Sequence, residues 1–204
     1  EQNKKIYAAV NAFARDEDLA AIDKLFITIR DAGVDAMIVN DPGVIYLAKK
    51  YVPKMTLHLS TQANTLNSDA ARFWHEQGIK RIILARELTR EQIKKLKASV
   101  PDTLELEMFV HGSMCISYSG RCVLSNYMAG RDCYKGECAQ PCRWNYEIRE
   151  KGKDGEYYPV EQNDTGTYLF NSRDLNLIKH IPELVECGID SLKIEGRMKS
   201  IAYT

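Results

Sequence analysis

Three stretches of this chain, AGVDAMIVN (32–40), QGIKRIILA (77–85) and CGIDSLKIE (187–195), share one plan. In each, a helical pattern ends in glycine, passes an apolar residue and a charged one, and enters a short apolar run. Glycine supplies the left-handed residue that stops a helix, so each stretch reads as a helix-to-strand joint of a repeating β-α architecture. Further strand patterns at KIYAAVN (5–11), MTLHLST (55–61) and ELEMFVH (105–111) bring the expected strands to six. Helical patterns fill 17–32, 43–51, 67–77, 89–99 and 173–187. Thr89 with Gln92 has capping-box spacing, and Asn67 or Ser68 can cap the helix before it. Such alternation demands parallel strands, either in an open doubly wound sheet or in an eight-stranded barrel. Six strands are compatible with both.

A chain of 204 residues with 45% hydrophobic content buries a sizeable core, and its length suits one domain better than two. No run approaches the length of a membrane span, and the start, EQNKKIYAAV, lacks the apolar stretch and cleavage site of a signal peptide. A cytoplasmic protein with no membrane partner is therefore expected. The first residue is Glu and a strand pattern follows almost at once, so the chain reads as a piece of a longer protein. With 28 basic and 28 acidic side chains the net charge is zero, which removes any generic electrostatic argument for nucleic acid or anionic membrane. Such a partner would need a local patch.

Residues at or just past the strand ends are Asn11, Asn40, Asp41, Ser60, Thr61, Gln62, Asn64, Arg86, Glu87, His111, Glu195 and Arg197. Barrels and open α/β sheets build active sites on that edge, although ordinary solvated loops use the same residue types. After His111 the rhythm breaks, and roughly sixty residues pass before the next helix, far more than a normal connection. The expected organisation is barrel strands and helices over 1–112, a cysteine-rich insertion over 113–171, and a final helix and strand over 172–204. The later part of the insertion reads as a small hairpin turning at KDGE.

The six cysteines are Cys115, Cys122, Cys133, Cys138, Cys142 and Cys187, and the first five fall within 28 residues. In a chain with an apolar core and no export signal, this favours metal or redox chemistry over disulfides. Thiolates are soft ligands for zinc or iron–sulfur clusters. Three residues separate Cys138 from Cys142, a zinc habit, but six separate Cys115 from Cys122, which is not. Spacing therefore ranks an iron–sulfur cluster first, zinc second and unliganded structural thiols third. A nucleophilic cysteine paired with His111 or His58 requires a proximity that spacing does not give. No Gly-x-Ser-x-Gly elbow, phosphate loop or His-Glu-x-x-His helix is present.

The segment EMFVHGSMCISYSGRCVLS (107–125) closely resembles the signature of peptidase family U32, the collagenase-like proteins of unassigned catalytic type. Glu107, Phe109, Gly112, Ser113, Cys115, Gly120, Cys122 and Ser125 stand where that pattern expects them. The resemblance continues through GRDCYKGECAQPCRW (130–144), FNSRDLNLIKHIPELVECGIDSLKIEGRMKS (170–200) and, upstream, YAAVNAFARDEDL and LHLSTQANTLNS. It implies an α/β fold of the (β/α)8 TIM-barrel type, with these six strands as the third to eighth of an incomplete barrel. An open barrel edge of this kind would also offer a route to oligomerisation.

The resemblance implies chemistry as well. Several relatives carry a four-iron four-sulfur cluster and support hydroxylation: of tRNA to 5-hydroxyuridine from prephenate, of a ribosomal RNA cytidine, and in oxygen-independent ubiquinone synthesis. It maps Cys115, Cys122 and Cys138 onto cluster ligands. Some relatives take the fourth ligand from the position of Asn176, others from that of Cys142, and Cys142 is the choice here. Cys133 departs from the pattern, and Cys187 reads as a small buried residue. Arg121, Arg131, Arg143 and Arg197 are the candidates for holding a carboxylate or phosphate, because the guanidinium fork binds such anions bidentately. The leading expectation is an RNA-hydroxylation enzyme acting on tRNA or rRNA. A collagenase-like peptidase acting on peptides comes second, and a non-catalytic assembly protein with a structural cluster third.

Overall fold

The computed structural model describes residues 3–144, 161–163, 166–168, 174–196 and 199–203. The chain runs β1 (Tyr7–Val10), α1 (Asp16–Leu19), α2 (Ile22–Asp31), β2 (Ala36–Val39), α3 (Pro42–Tyr51), β3 (Thr56–Leu59), α4 (Ser68–Glu76), β4 (Ile79–Ile83), α5 (Arg90–Lys97) and β5 (Glu105–Gly112). After these come α6 (Leu124–Ala129), β6 (Glu161–Asn163), β7 (Gly166–Tyr168), β8 (Leu175–Asn176), α7 (Ile181–Glu186) and β9 (Ser191–Ile194). Strands β1 to β5 pair in parallel in chain order, and β9 joins the far edge of β5, also in parallel. The six parallel strands form an open half-barrel of the TIM type.

The joint glycines do what the sequence requires of them. Gly33, Gly78 and Gly188 take φ of 72°, 85° and 82°, the left-handed region that an L side chain adopts only with strain. Helix starts are equally local. Asn67 Oδ1 accepts from Ala70 N at 2.8 Å, and Thr89 and Gln92 form the reciprocal capping box that their spacing predicts. Pro42 opens α3 behind Asp41, whose carboxylate accepts from Val44 N.

Alternation along the strands then divides the sheet into two faces. Met37, Val39, Leu57, Leu59, Ile82, Leu84 and Leu106 pack outward against Phe26, Ile29, Val44, Ile45, Ala48, Ile93 and Leu96 of the helices. Each of these buried side chains larger than alanine stabilises the fold by roughly 1.5–3 kcal/mol. The alternate positions face the concave side and carry Tyr7, His58, Arg81, Glu107, Ser191 and Lys193, a polar set that sequence pattern alone had not grouped.

Two expectations are corrected. The helical pattern over 17–32 is two helices, interrupted where Ala21 takes φ of −126°. The helix expected over 173–187 exists only as Ile181–Glu186. Pro182 would forfeit the amide bond of a longer helix, and Leu175–Asn176 instead pair antiparallel with His111 and Gly112. His111 also faces Ile194 of β9, so β8 occupies the edge of β5 that β4 leaves free. A hairpin does lie in the insertion, but it pairs Asn163 with Gly166; the KDGE turn lies outside the described residues.

At the upper end of β5, Gly112 has φ of 136°, and a Cβ there would stand 2.7 Å from Glu195 Cβ. Glycine is what lets the ends of β5 and β9 close together. No helix among the described residues is long and apolar enough to cross a membrane.

Candidate functional site, a thiol-lined cavity

The concave face of the half-barrel carries a compact charge network centred on Glu107, which is only 5% exposed. Its carboxylate accepts from Arg81 Nη1 at 3.1 Å, Ser191 Oγ at 2.9 Å and Lys193 Nζ at 3.2 Å. Burial pushes the Glu107 carboxyl up, but Lys193, Ser191 and Arg81 together outweigh it and hold the group below the ordinary value. Arg81 also donates to Glu105 at 2.7 Å. Beside this network His58 packs edge-on to Tyr7 at 4.9 Å.

Burial, reinforced by the charge on Arg81, lowers the His58 pKa from 6.5 to about 4. Between those two values the unfolded chain binds a proton that the native chain refuses, so His58 makes stability fall as pH drops below 6.5 toward 4. Thermal melts from neutral to about pH 4.5 should therefore show a steeper loss for the wild type than for His58→Gln. Parallel slopes would sink this assignment.

Above the network, residues 113–144 fold over the C-terminal mouth of the half-barrel. Ser125, fully buried, fixes the fold of this loop: its hydroxyl accepts from Ala139 N at 2.9 Å and its carbonyl from Arg131 N at 3.4 Å. That brings the segment bearing Cys138 and Cys142 back toward Cys122. Cys115, Cys122, Cys133, Cys138 and Cys142 all line one cavity of about 400 Å³. Its floor and rim include Ile38, Ile83, Phe109 and Lys193 from the strands, with Asn11, Ser60, Thr61, Gln62, Arg86 and Glu195 from the strand ends. Cys187 is elsewhere, 7% exposed within the helix-facing core.

The sulfurs are electrostatically aware of one another. Burial pushes the Cys142 thiol up; Cys138, Cys115 and Cys122 add to the rise, and Arg143 opposes it. Cys133 is pushed up to about 11 by burial and then by Cys122 and Cys138, and its Sγ donates to the Cys122 carbonyl at 2.6 Å. Backbone amides point at two of the other sulfurs: Leu124 N donates to Cys122 Sγ at 3.4 Å, and Gln140 N to Cys138 Sγ at 3.3 Å. Among the described residues no three His, Cys, Asp or Glu side chains converge on one metal ion.

The cations chosen from the sequence are scattered. Arg143 lines the cavity, with its guanidinium paired to Asp174. Arg121 is exposed and stacks on Phe13 at 4.8 Å, Arg131 is exposed and is not a lining residue, and Arg197 lies outside the described residues. Two further cations line the cavity. Lys193 reaches it from β9 while holding Glu107, and Arg86 reaches it from just past the end of β4. Lys193 was missed as a site residue, although alternation in SLKI places it on the same face as Ser191. Neither His58 nor His111 lines the cavity; His111 contacts Tyr203, its Nε2 lying 3.1 Å from that residue's carbonyl oxygen.

The family model for Peptidase family U32 matches residues 1–204. A tRNA hydroxylation protein P1 of Bacillus subtilis is 43% identical over 199 residues, covering 98% of this chain and 46% of the relative. A tRNA hydroxylation protein P of Helicobacter pylori is 44% identical over 204 residues, covering 98% and 48%. The 23S rRNA 5-hydroxycytidine synthase of Escherichia coli is 33% identical over 199 residues, covering 98% and 29%. The chain thus spans about half the length of these tRNA hydroxylation relatives. The solved structure of the U32 peptidase Mk0906 superposes with a TM-score of 0.52 at 16% identity, covering 93% of this chain and 68% of that one, which shows a shared fold.

Proposed function

Because the chain belongs to peptidase family U32, we propose that it forms the barrel part of a cytoplasmic iron–sulfur enzyme that hydroxylates a nucleoside in RNA, of the prephenate-dependent tRNA 5-hydroxyuridine type. The observation that carries this reading is the cavity that five thiols share at the mouth of the half-barrel. Relatives named for tRNA and rRNA hydroxylation support the substrate class.

The donor set fits a four-iron four-sulfur cluster held by Cys115, Cys122, Cys138 and Cys142. Soft thiols gathered at the wall of one cavity are the donor type that such a cluster would take. When bound, the cluster supplies one-electron chemistry or a Lewis-acidic iron to the cavity. The chain's own residues do the rest. Ile38, Ile83 and Phe109 give the cavity an apolar floor that excludes water. Gln62 Oε1, buried without a hydrogen-bond partner among the described residues, offers an acceptor to a polar substrate.

The test is iron and acid-labile sulfide analysis of the intact, anaerobically purified protein, followed by sequencing of modified tRNA and rRNA from cells lacking it. About four of each per chain, with loss of one hydroxylated nucleoside in the deletion strain, is the expected result. Tightly bound zinc in place of iron, with RNA modification unchanged, would overturn the reading and bring peptide-cleavage assays forward.

A further inference from the structure

We propose that Arg86 is the carboxylate anchor of the thiol-lined cavity, which takes a small organic acid rather than an RNA phosphate at that position. The inference rests on the reading of the cavity as a hydroxylation site and adds to it the residue that holds the acid.

The argument begins with charge. Among the described residues three cations line the cavity, and two of them are answered by carboxylates: Arg143 by Asp174, and Lys193 by Glu107 at 3.2 Å. Arg86 has no carboxylate partner among the described residues. Among the described residues its guanidinium is held only by neutral groups, Nε donating to Ser119 Oγ at 3.1 Å and Nη1 to the Ser113 carbonyl at 3.1 Å. Among the described residues these contacts use two of its five N–H groups, which leaves three to offer a ligand. A half-buried guanidinium that lines a cavity and keeps unspent donors is complementary to a planar anion.

The tethers also limit which anion fits. Both come from the cysteine loop, and Ser119 is only 4% exposed, so the guanidinium lies behind that loop rather than on an open surface. The Phe109 ring, with Arg86 at 5.8 Å and Lys193 at 5.6 Å from its centroid, occupies the same wall. A phosphodiester carries a nucleotide on each side and would need open space along both directions of the strand. A terminal carboxylate needs none. Glu195 lines the same cavity and repels an acid from its own side, which leaves the Arg86 side as the place where an anion gains most.

Calorimetric titration of prephenate into the intact, anaerobically prepared protein tests this, with phenylpyruvate and inorganic phosphate as comparison ligands. Wild type is expected to bind prephenate, and Arg86→Gln to bind it about 10- to 100-fold more weakly, the loss typical of a charge-assisted pair. Iron and sulfide content should stay unchanged. Arg86→Lys should recover part of the affinity, and Ser119→Ala, which removes a tether but no charge, should cost about threefold or less.

Equal prephenate binding by wild type and Arg86→Gln would overturn the anchor and leave the hydroxylation reading standing. Arg86-dependent binding of phenylpyruvate without prephenate would support the anchor and remove that co-substrate. Binding of phosphate alone, or of no acid, would overturn the anchor. So would loss of metal in Arg86→Gln together with an equally large affinity loss in Ser119→Ala, the signature of a structural clamp.

Discussion

Glu107→Gln is expected to destabilise the intact protein toward the lower end of the ~3–5 kcal/mol that follows from breaking a buried ion pair on one side. The carboxylate is the counter-charge for Lys193 and one of two for Arg81. Arg81 keeps Glu105, but Lys193 loses its only carboxylate partner among the described residues, with its side chain 29% exposed. The remaining solvent contact is why the lower end applies. Denaturant midpoints measure the loss. Adding Lys193→Met to Glu107→Gln should recover part of it, because an apolar group needs no counter-ion, whereas two independent packing defects would add.

The pH profile offers an independent reading of the same group. Its folded pKa lies below the ordinary value of 4.5, so its stabilisation is complete above that value and is lost as pH falls through the folded one. Glu107→Gln should lack this part of the acid limb. A variant within about 1 kcal/mol of wild type, with an unchanged acid profile, would show the network to be unimportant for the fold.

This network gives a physical sense to a sequence signature. Glu107 could be picked out by resemblance, yet nothing in EMFVHGSMC names its partners, because Arg81 and Lys193 come from strands on either side of β5. What the sequence makes legible is local. A glycine at each joint, Asn67 and the Thr89–Gln92 pair fix helix ends through contacts three or four residues away, and these emerge in the structure as read. The helix that apolar spacing predicts over 173–187 is shortened to Ile181–Glu186, with Pro182 in its first turn, because the competing partner of Leu175 lies more than sixty residues upstream at Gly112. Residue type singles out arginines for the fork that their guanidinium presents to an anion. Nearness in space depends on strand register instead, and it brings Arg86 and Lys193 to the cavity while leaving Arg121 on Phe13.

Cys115→Ser and Cys122→Ser are each expected to remove essentially all iron and sulfide from a protein that otherwise holds about four of each. Serine is nearly isosteric with cysteine but a hard, weakly acidic ligand, so the substitution changes affinity for iron far more than it changes packing. Cys115 is exposed and Cys122 half-buried, so neither replacement opens a large cavity, and the melting temperature of the metal-free protein should move little.

The informative contrast is Cys133→Ser. That thiol lines the same cavity, but its Sγ donates to the Cys122 carbonyl at 2.6 Å, which commits it to a contact within the loop. A serine hydroxyl can make the same hydrogen bond, so metal content should persist. Cys187→Ser, in the helix-facing core, should likewise retain metal at some cost in stability. Full iron in Cys115→Ser would remove Cys115 from the ligand set, whereas loss of iron in Cys133→Ser with retention in Cys142→Ser would move the fourth position from Cys142 to Cys133, the other cavity thiol available to complete a set with Cys115, Cys122 and Cys138.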